Sequence, residues 1–387
     1  MKKVLIGFFS LIILGLAAFF IFAPGIAVQR MNPITPQQPH KVSAKAQALH
    51  QRLTIIDWHA DSLLWKRNLL QRDNKGHVDF PRLREGNVAV QMFTTVTKTP
   101  AGRNYFANRT DAQDQITLLA MGQLWPLRTW DDLTERALYQ AEKLQHMADT
   151  APESVSVIRN RDDLKAVLAQ RKQGSNITGA LIGAEGGHAL SGKLENLDRL
   201  DAAGFRMIGL THFFDNKLGG SLHGISNQGL TAFGLNVVKA MEQKKIIVDL
   251  SHTSQKMVQD VLAIAKRPVV VSHTGIYSQC KTRRNLPDRL MKQIAAKGGL
   301  IAVGYWANVT CNDSATGVAK TIAAAVKLLG EDHVALGSDY DGAVGVGFDT
   351  SELSGLTQAL LDTGLSERVI GKVMGGNSVR FLMENLP

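Results

Sequence analysis

KKIIVDLSHTSQKMVQDVLAIAKRPVVVSHT, residues 244–274, carries the pattern on which the fold turns. Residues 244–252 form a short apolar, β-branched run that ends in His252. Residues 254–266 have helical periodicity, and residues 268–274 are a second apolar run, ending around His273. Strand, helix, strand is the unit of a parallel sheet. Six further runs have the same character: residues 54–61, 88–95, 177–186, 205–213, 299–306 and 333–342. Eight nearly continuous apolar runs suit strands buried on both faces, and eight such units predict a closed (β/α)8 barrel of the TIM type. An open, doubly wound sheet is the competing architecture. The interval 95–177 is longer than one crossover needs, so it is expected to carry extra helices between the second and third of these runs, one of them at residues 131–149.

Working outward, the chain of 387 residues is 44% hydrophobic and 20% charged. That balance excludes a disordered chain, a collagen-like fibre and a disulfide scaffold. The net charge of +10 draws +5 from Lys2, Lys3, Arg30, Lys41 and Lys45, with no acid before residue 46. No basic stripe interleaved with aromatics exists, so nucleic acid is not an expected partner. Residues 4–23 are apolar and follow Lys2 and Lys3. At about 1.5 Å per residue they span roughly 30 Å, the thickness of a bilayer core. Residues 1–23 are therefore expected to be a membrane anchor. A cleaved signal is the alternative, with a small-x-small site at Gly25-Ile26-Ala27. Both readings export the rest of the chain, to the periplasm in a bacterium. Residues 24–45, with Pro33, Pro36, Pro39, Gln37 and Gln38, read as an extended tether, and residues 46–387 as one barrel domain. Removing residues 1–42 is expected to leave the core intact.

Polar residues cluster where barrel chemistry sits, at the C-terminal ends of the runs. They are His59 and Asp61, Glu185, His212, His252, His273, and Asp339 with Asp341. Each has a plain reading alone: a hydrogen-bonded loop residue, or for Asp341 a helix N-cap. Together, imidazoles and carboxylates suit zinc, and a metal pair also needs a bridging carboxylate. His40, His50, His77, His146, His188, His223 and His333 lie off the strand ends and read as surface or supporting groups.

These motifs resemble those of the membrane (renal-type) dipeptidases. The matching segments are Ile56-Asp57-Trp58-His59-Ala60-Asp61, Gly183-Ala184-Glu185-Gly186-Gly187-His188, Leu210-Thr211-His212 and Val248-Asp249-Leu250-Ser251-His252. Further on come Gly229-Leu230-Thr231-Ala232-Phe233-Gly234, Val271-Ser272-His273, Arg283-Arg284-Asn285-Leu286-Pro287-Asp288, Gly337-Ser338-Asp339-Tyr340-Asp341-Gly342 and Gly375-Gly376-Asn377. The resemblance covers about residues 50–387. It implies a dipeptidase with two zinc ions per chain: His59, Asp61 and Glu185 on one, Glu185, His252 and His273 on the other, and a hydroxide between them. It further implies that His212 polarises the scissile carbonyl, Arg284 takes the substrate carboxylate and Asp339 is the acid/base. Substrate contacts would thus come from His212, Arg284 and Asp339. Trp306 stands where many relatives have Tyr, and Ala60-Asp61-Ser62-Leu63 departs from the family's frequent wording. Other expected partners are a dipeptide, the membrane through the N-terminal segment and, as an open possibility, a second copy in a homodimer. Alternatives are another binuclear amidohydrolase acting on a lactone or non-peptide amide, and a non-catalytic membrane-tethered binder. Cys280 and Cys311 follow consecutive strands, and in an oxidising compartment a disulfide is favoured over two buried thiols.

Overall fold

The computed structural model describes residues 2–35 and 41–387. Nine parallel strands form: β1 Ile55–Ala60, β2 Val88–Thr95, β3 Val155–Val157, β4 Thr178–Ala184, β5 Phe205–Gly209, β6 Ile247–Asp249, β7 Val270–Thr274, β8 Leu300–Val303 and β9 Val334–Leu336. Their order is β2-β1-β9-β8-β7-β6-β5-β4, and a β2–β4 pairing closes the ring into an eight-stranded barrel. The ninth strand, β3, was not expected. It lies along Thr178–Ala180 of β4, below the stretch Ile182–Ala184 that pairs with β5, so one edge of β4 serves two neighbours.

Every expected strand exists, and most stop short of their apolar runs. The run 205–213 yields a strand only to Gly209, because Leu210-Thr211-His212-Phe213 is a buried loop over the barrel mouth. Apolar content there reflects burial, not extension. The long interval holds the expected helices, Gln115–Gly122 and Leu133–Thr150 among them. The second has Asp132 accepting from the Thr134 and Glu135 amides as its N-cap.

One core cluster draws residues from all eight barrel strands, including Trp58, Met92, Leu181, Met207 and Ala302, together with Phe381 and Leu382 of the last helix, Asn377–Asn385. Side chains from strands all round a ring meet only inside it, so this is the barrel interior, plugged at the end remote from the polar residues. Trp58 Nε1 donates to Ser378 Oγ at 2.8 Å and its ring meets Phe381 edge-on, locking that plug. Gly375 lies so close that a Cβ would come within 1.8 Å of the Thr54 carbonyl, at the root of β1.

The N-terminal segment corrects the expectation of a free tether. One helix, Lys2–Met31, runs through Pro24. It contains the only apolar stretch among the described residues long enough to cross a membrane, Phe8–Met31. Its last turn and the residues after it pack on the barrel. Val28 is fully buried in a cluster with Leu64, Trp65, Val96, Ile116 and Trp125. Asn32 Oδ1 accepts from the Ala343 amide at 2.9 Å, and Ile34 bridges to Val346. Pro24 and Val28, one turn apart and both buried, are enough to dock the helix end, which composition alone disguised. Residues 36–40, with Pro36, Gln37, Gln38, Pro39 and His40, lie outside the described residues.

Candidate metal centre

Strand geometry delivers the polar residues to one place. His59 lies one residue before the end of β1 and His273 lies in β7, while Asp61, Glu185, His212, His252 and Asp339 follow strands β1, β4, β5, β6 and β9. His252 and Asp339 adopt left-handed backbone conformations, φ 59° and 62°. Non-glycine residues rarely do so, and the cost is about 1–3 kcal/mol each. That turn swings both side chains from the strand direction toward the barrel axis.

The donor atoms fall into two sets sharing Glu185: His59, Glu185, His273 and Asp339, and Glu185, His212 and His252, each within 4.8 Å. Glu185 Oε1 is 3.4 Å from His59 Nε2, 3.2 Å from His252 Nε2 and 3.4 Å from His273 Nε2. Asp61 Oδ1 is 3.6 Å and Asp339 Oδ1 3.8 Å from His59 Nε2. The His252 and His273 Nε2 atoms are 2.8 Å apart. With metal–donor bonds of about 2.0–2.2 Å, ligands on a tetrahedral edge lie roughly 3.3–3.6 Å apart and ligands at a right angle roughly 2.8–3.1 Å. The observed spacings are close to these values.

The hydrogen bonds fix the tautomers. Ser272 Oγ donates to Asp249 Oδ2 at 2.6 Å, which leaves its lone pairs for the Nδ1–H groups of His59 (3.1 Å) and His273 (2.9 Å). Both rings therefore present Nε2 to the cluster. His59 Nε2 is buried without a hydrogen-bond partner. A lone pair facing Asp61, Glu185 and Asp339 requires positive charge between them, and the donor set suits a divalent metal. Among the expected residues Ser272 and Asp249 were missed. Their signal was present: polar residues inside otherwise apolar runs, adjacent to histidines.

The electrostatics agree. Burial, then the nearby Asp61, pushes the Glu185 carboxyl up to about 7, and burial holds Asp339 well above the carboxylate range. Burial keeps His212, His252 and His273 well below their ordinary value, hence neutral and able to ligate. Burial opposes charge on His59, but Asp61 and Glu185 beside it override that and raise it.

His212 Nε2 lies 3.2 Å from Glu185 Oε2. Arg284 is 1% exposed, with Nη2 donating to the His273 carbonyl at 3.0 Å and lying 3.2 Å from His252 Nε2. Its Nε has no partner, and its guanidinium covers the Trp306 ring at 5.3 Å. No carboxylate pairs with it among the described residues. Arg283 is exposed, near the Phe106 ring. Trp306 Nε1 donates to the Tyr105 hydroxyl at 3.1 Å, so Tyr105 from the long interval borders the site.

Two readings need correction. Asp341 caps no helix. It is fully buried, accepting from Arg67 Nη2 (2.6 Å), Ser62 Oγ (2.6 Å) and the His77 amide (2.7 Å), and so braces the loop after β9. For the histidines away from strand ends only the surface half of the reading gives way: His50, His77, His188 and His223 are buried and fall to the supporting role, His333 is half-buried, and only His146 is exposed among those described.

Comparison with known proteins agrees with this geometry. The family model "Membrane dipeptidase (Peptidase family M19)" matches residues 43–385. The chain is 30% identical over 357 residues to Dipeptidase aclJ of Aspergillus oryzae, covering 86% of this chain and 78% of that one. It is similar to the solved structure of the dipeptidase AC, a family M19 metallo peptidase, at 25% identity and TM-score 0.70, over 86% of this chain and 99% of that one. A metallo peptidase from Rhodobacter sphaeroides, solved with a phosphinate mimic of the dipeptide L-Ala-D-Ala, shares the fold at 24% identity and TM-score 0.69, over 87% and 99% of the two chains. A TIM-type barrel with a buried His/Glu/Asp metal-binding cluster and a family match spanning nearly the whole barrel mean that this chain belongs to the membrane dipeptidases, a family of metallopeptidases.

Proposed function

We propose that this enzyme hydrolyses dipeptides with two zinc ions bridged by Glu185. The observation that carries the substrate reading is Arg284, a guanidinium buried beside the cluster without a counter-ion. Leaving a charge so unpaired is costly, and a substrate carboxylate relieves the cost with a charge-assisted, bidentate contact. His59 and Asp61 complete one zinc site with Glu185, and His252 and His273 the other. Their converging Nε2 atoms and the Ser272 bridge support that assignment. Bound there, zinc supplies a hydroxide-like nucleophile near neutral pH and polarises the scissile carbonyl. His212 donates a hydrogen bond to the carbonyl oxygen as negative charge develops, a role worth about 3–4 kcal/mol for comparable donors. Asp339 takes a proton from the attacking water and returns it to the leaving amine. A clamp on the C-terminal carboxylate, next to the scissile bond, excludes the internal peptide bonds of proteins.

The apolar helix behind Lys2 and Lys3 supports membrane anchoring with the barrel exported. So does the Cys280–Cys311 disulfide, which suits an oxidising compartment. The test compares a dipeptide with its C-terminal amide, using zinc-loaded, full-length protein. Wild type is expected to cleave the free acid far faster and Arg284→Ala to discriminate little. Equal cleavage of acid and amide by wild type would favour a broader amidohydrolase. Metal analysis finding fewer than two zinc ions would overturn the binuclear assignment.

A further inference from the structure

We propose that the last turn of the N-terminal helix is a specificity element, with Met31 forming one wall of a pocket for a large apolar side chain on the amino side of the scissile bond. The proposal rests on the dipeptidase reading above. A cavity of about 400 Å³ opens beside the cluster, reaching Asp61, Glu185 and His212. Its walls are Met31, Leu64, Trp65, Val96, Ile116 and Leu119. A second, smaller cavity meets it at Glu185 and His212 and leads the other way, to His252, Arg284 and Asp339. With the C-terminal carboxylate directed to Arg284, the C-terminal side of the substrate lies toward the smaller cavity. The scissile carbonyl then lies at Glu185 and His212, and the residue before it faces the larger, apolar cavity. Arg103 is the one cation lining that cavity among the described residues. Its charge is engaged at the rim, by the Ala343 carbonyl (2.7 Å) and the Phe213 ring.

Met31 is 39% exposed and is held from both sides. Val28, one turn before it, is fully buried. Asn32, directly after it, binds back to the Val28 carbonyl at 3.2 Å and accepts from the Ala343 amide, itself part of the pocket rim. These contacts hold the backbone that carries Met31 at the pocket, and an apolar wall so placed selects by shape and polarity.

The test measures kcat/KM of full-length, zinc-loaded protein in detergent on Ala-Ala, Phe-Ala and Ala-Phe. Wild type is expected to prefer Phe-Ala to Ala-Ala. Met31→Glu should lower the Phe-Ala to Ala-Ala ratio by at least about tenfold, the scale on which apolar pockets discriminate, and leave the Ala-Phe to Ala-Ala ratio where it was. Leu118→Glu, at another lining position and 57% exposed, should move the same ratio in the same direction without threatening the fold. A Phe-Ala preference unmoved by both substitutions, or a wild-type preference for small amino-side residues, would overturn the proposal. Failure of wild type to cleave any of the three would overturn the dipeptidase reading itself.

Discussion

At the scale of single residues, the least conspicuous member of the site has the widest reach. Ser272 has one proton and two lone pairs, and all three are committed: to Asp249, His59 and His273. Ser272→Ala removes the acceptor for two imidazole N–H groups at once and frees both rings to change tautomer. Loss of such a partner typically costs 10–100-fold in metal affinity. Chelator competition followed by metal analysis should show a loss in that range or beyond, with the fold retained by circular dichroism. Unchanged affinity would mean that packing alone sets the rings. The ligands themselves were legible in the sequence because histidines and carboxylates rarely end apolar strands by accident. Ser272 was not, because a serine inside a strand looks the same whether it orients a ligand or merely fills space. Asp341 misled for the converse reason: its spacing after β9 suited a cap, and only the folded chain brings Arg67 and Ser62 to it.

At the scale of elements, the helix Ala44–Arg52 shows how a docking contact becomes pH-dependent. His50, on its buried face, is 2% exposed and shares a 2.9 Å hydrogen bond with the Thr357 hydroxyl. Burial lowers its pKa from 6.5 to about 4. The folded state thus prefers neutral imidazole, while the unfolded chain takes up a proton near pH 6.5. Stability from this group is present above pH 6.5, falls as the pH drops toward 4, and is then fully lost, for a total of roughly 3 kcal/mol. Urea denaturation of the wild type should show that decline, and His50→Leu should flatten it by one proton's worth. An unchanged slope would place the acid sensitivity elsewhere. Strand existence was readable from β-branched apolar runs, whereas strand ends were not. Loops that roof the mouth, such as residues 210–213, are as buried as the strands they follow. β3 escaped notice because three residues carry no period. The Cys280–Cys311 link closes a 31-residue separation between the loops after β7 and β8. By chain-entropy arguments it is worth about 3–4 kcal/mol.

At the scale of the whole molecule, the boundary between anchor and barrel falls earlier than composition suggests. A cut at residue 42 removes Val28, Met31, Asn32 and Ile34, and so opens the Trp65–Trp125 cluster and unroofs the apolar cavity. A chain beginning at residue 26 keeps them. The longer form is expected to melt several degrees above the shorter, given that burial of a valine-sized side chain is worth about 1.5–3 kcal/mol. Calorimetry of the two forms decides it, and equal melting temperatures would restore the independent-domain reading. The rooted helix bears on the membrane anchoring proposed above. The candidate span, Phe8–Met31, ends at the docking contacts themselves, so little chain separates it from the barrel. With that span in a bilayer, the barrel is a post set in the floor rather than a buoy on a line. Its mouth is held near the headgroups at a set orientation, and a peptide reaches it through the thin layer of solvent between enzyme and lipid.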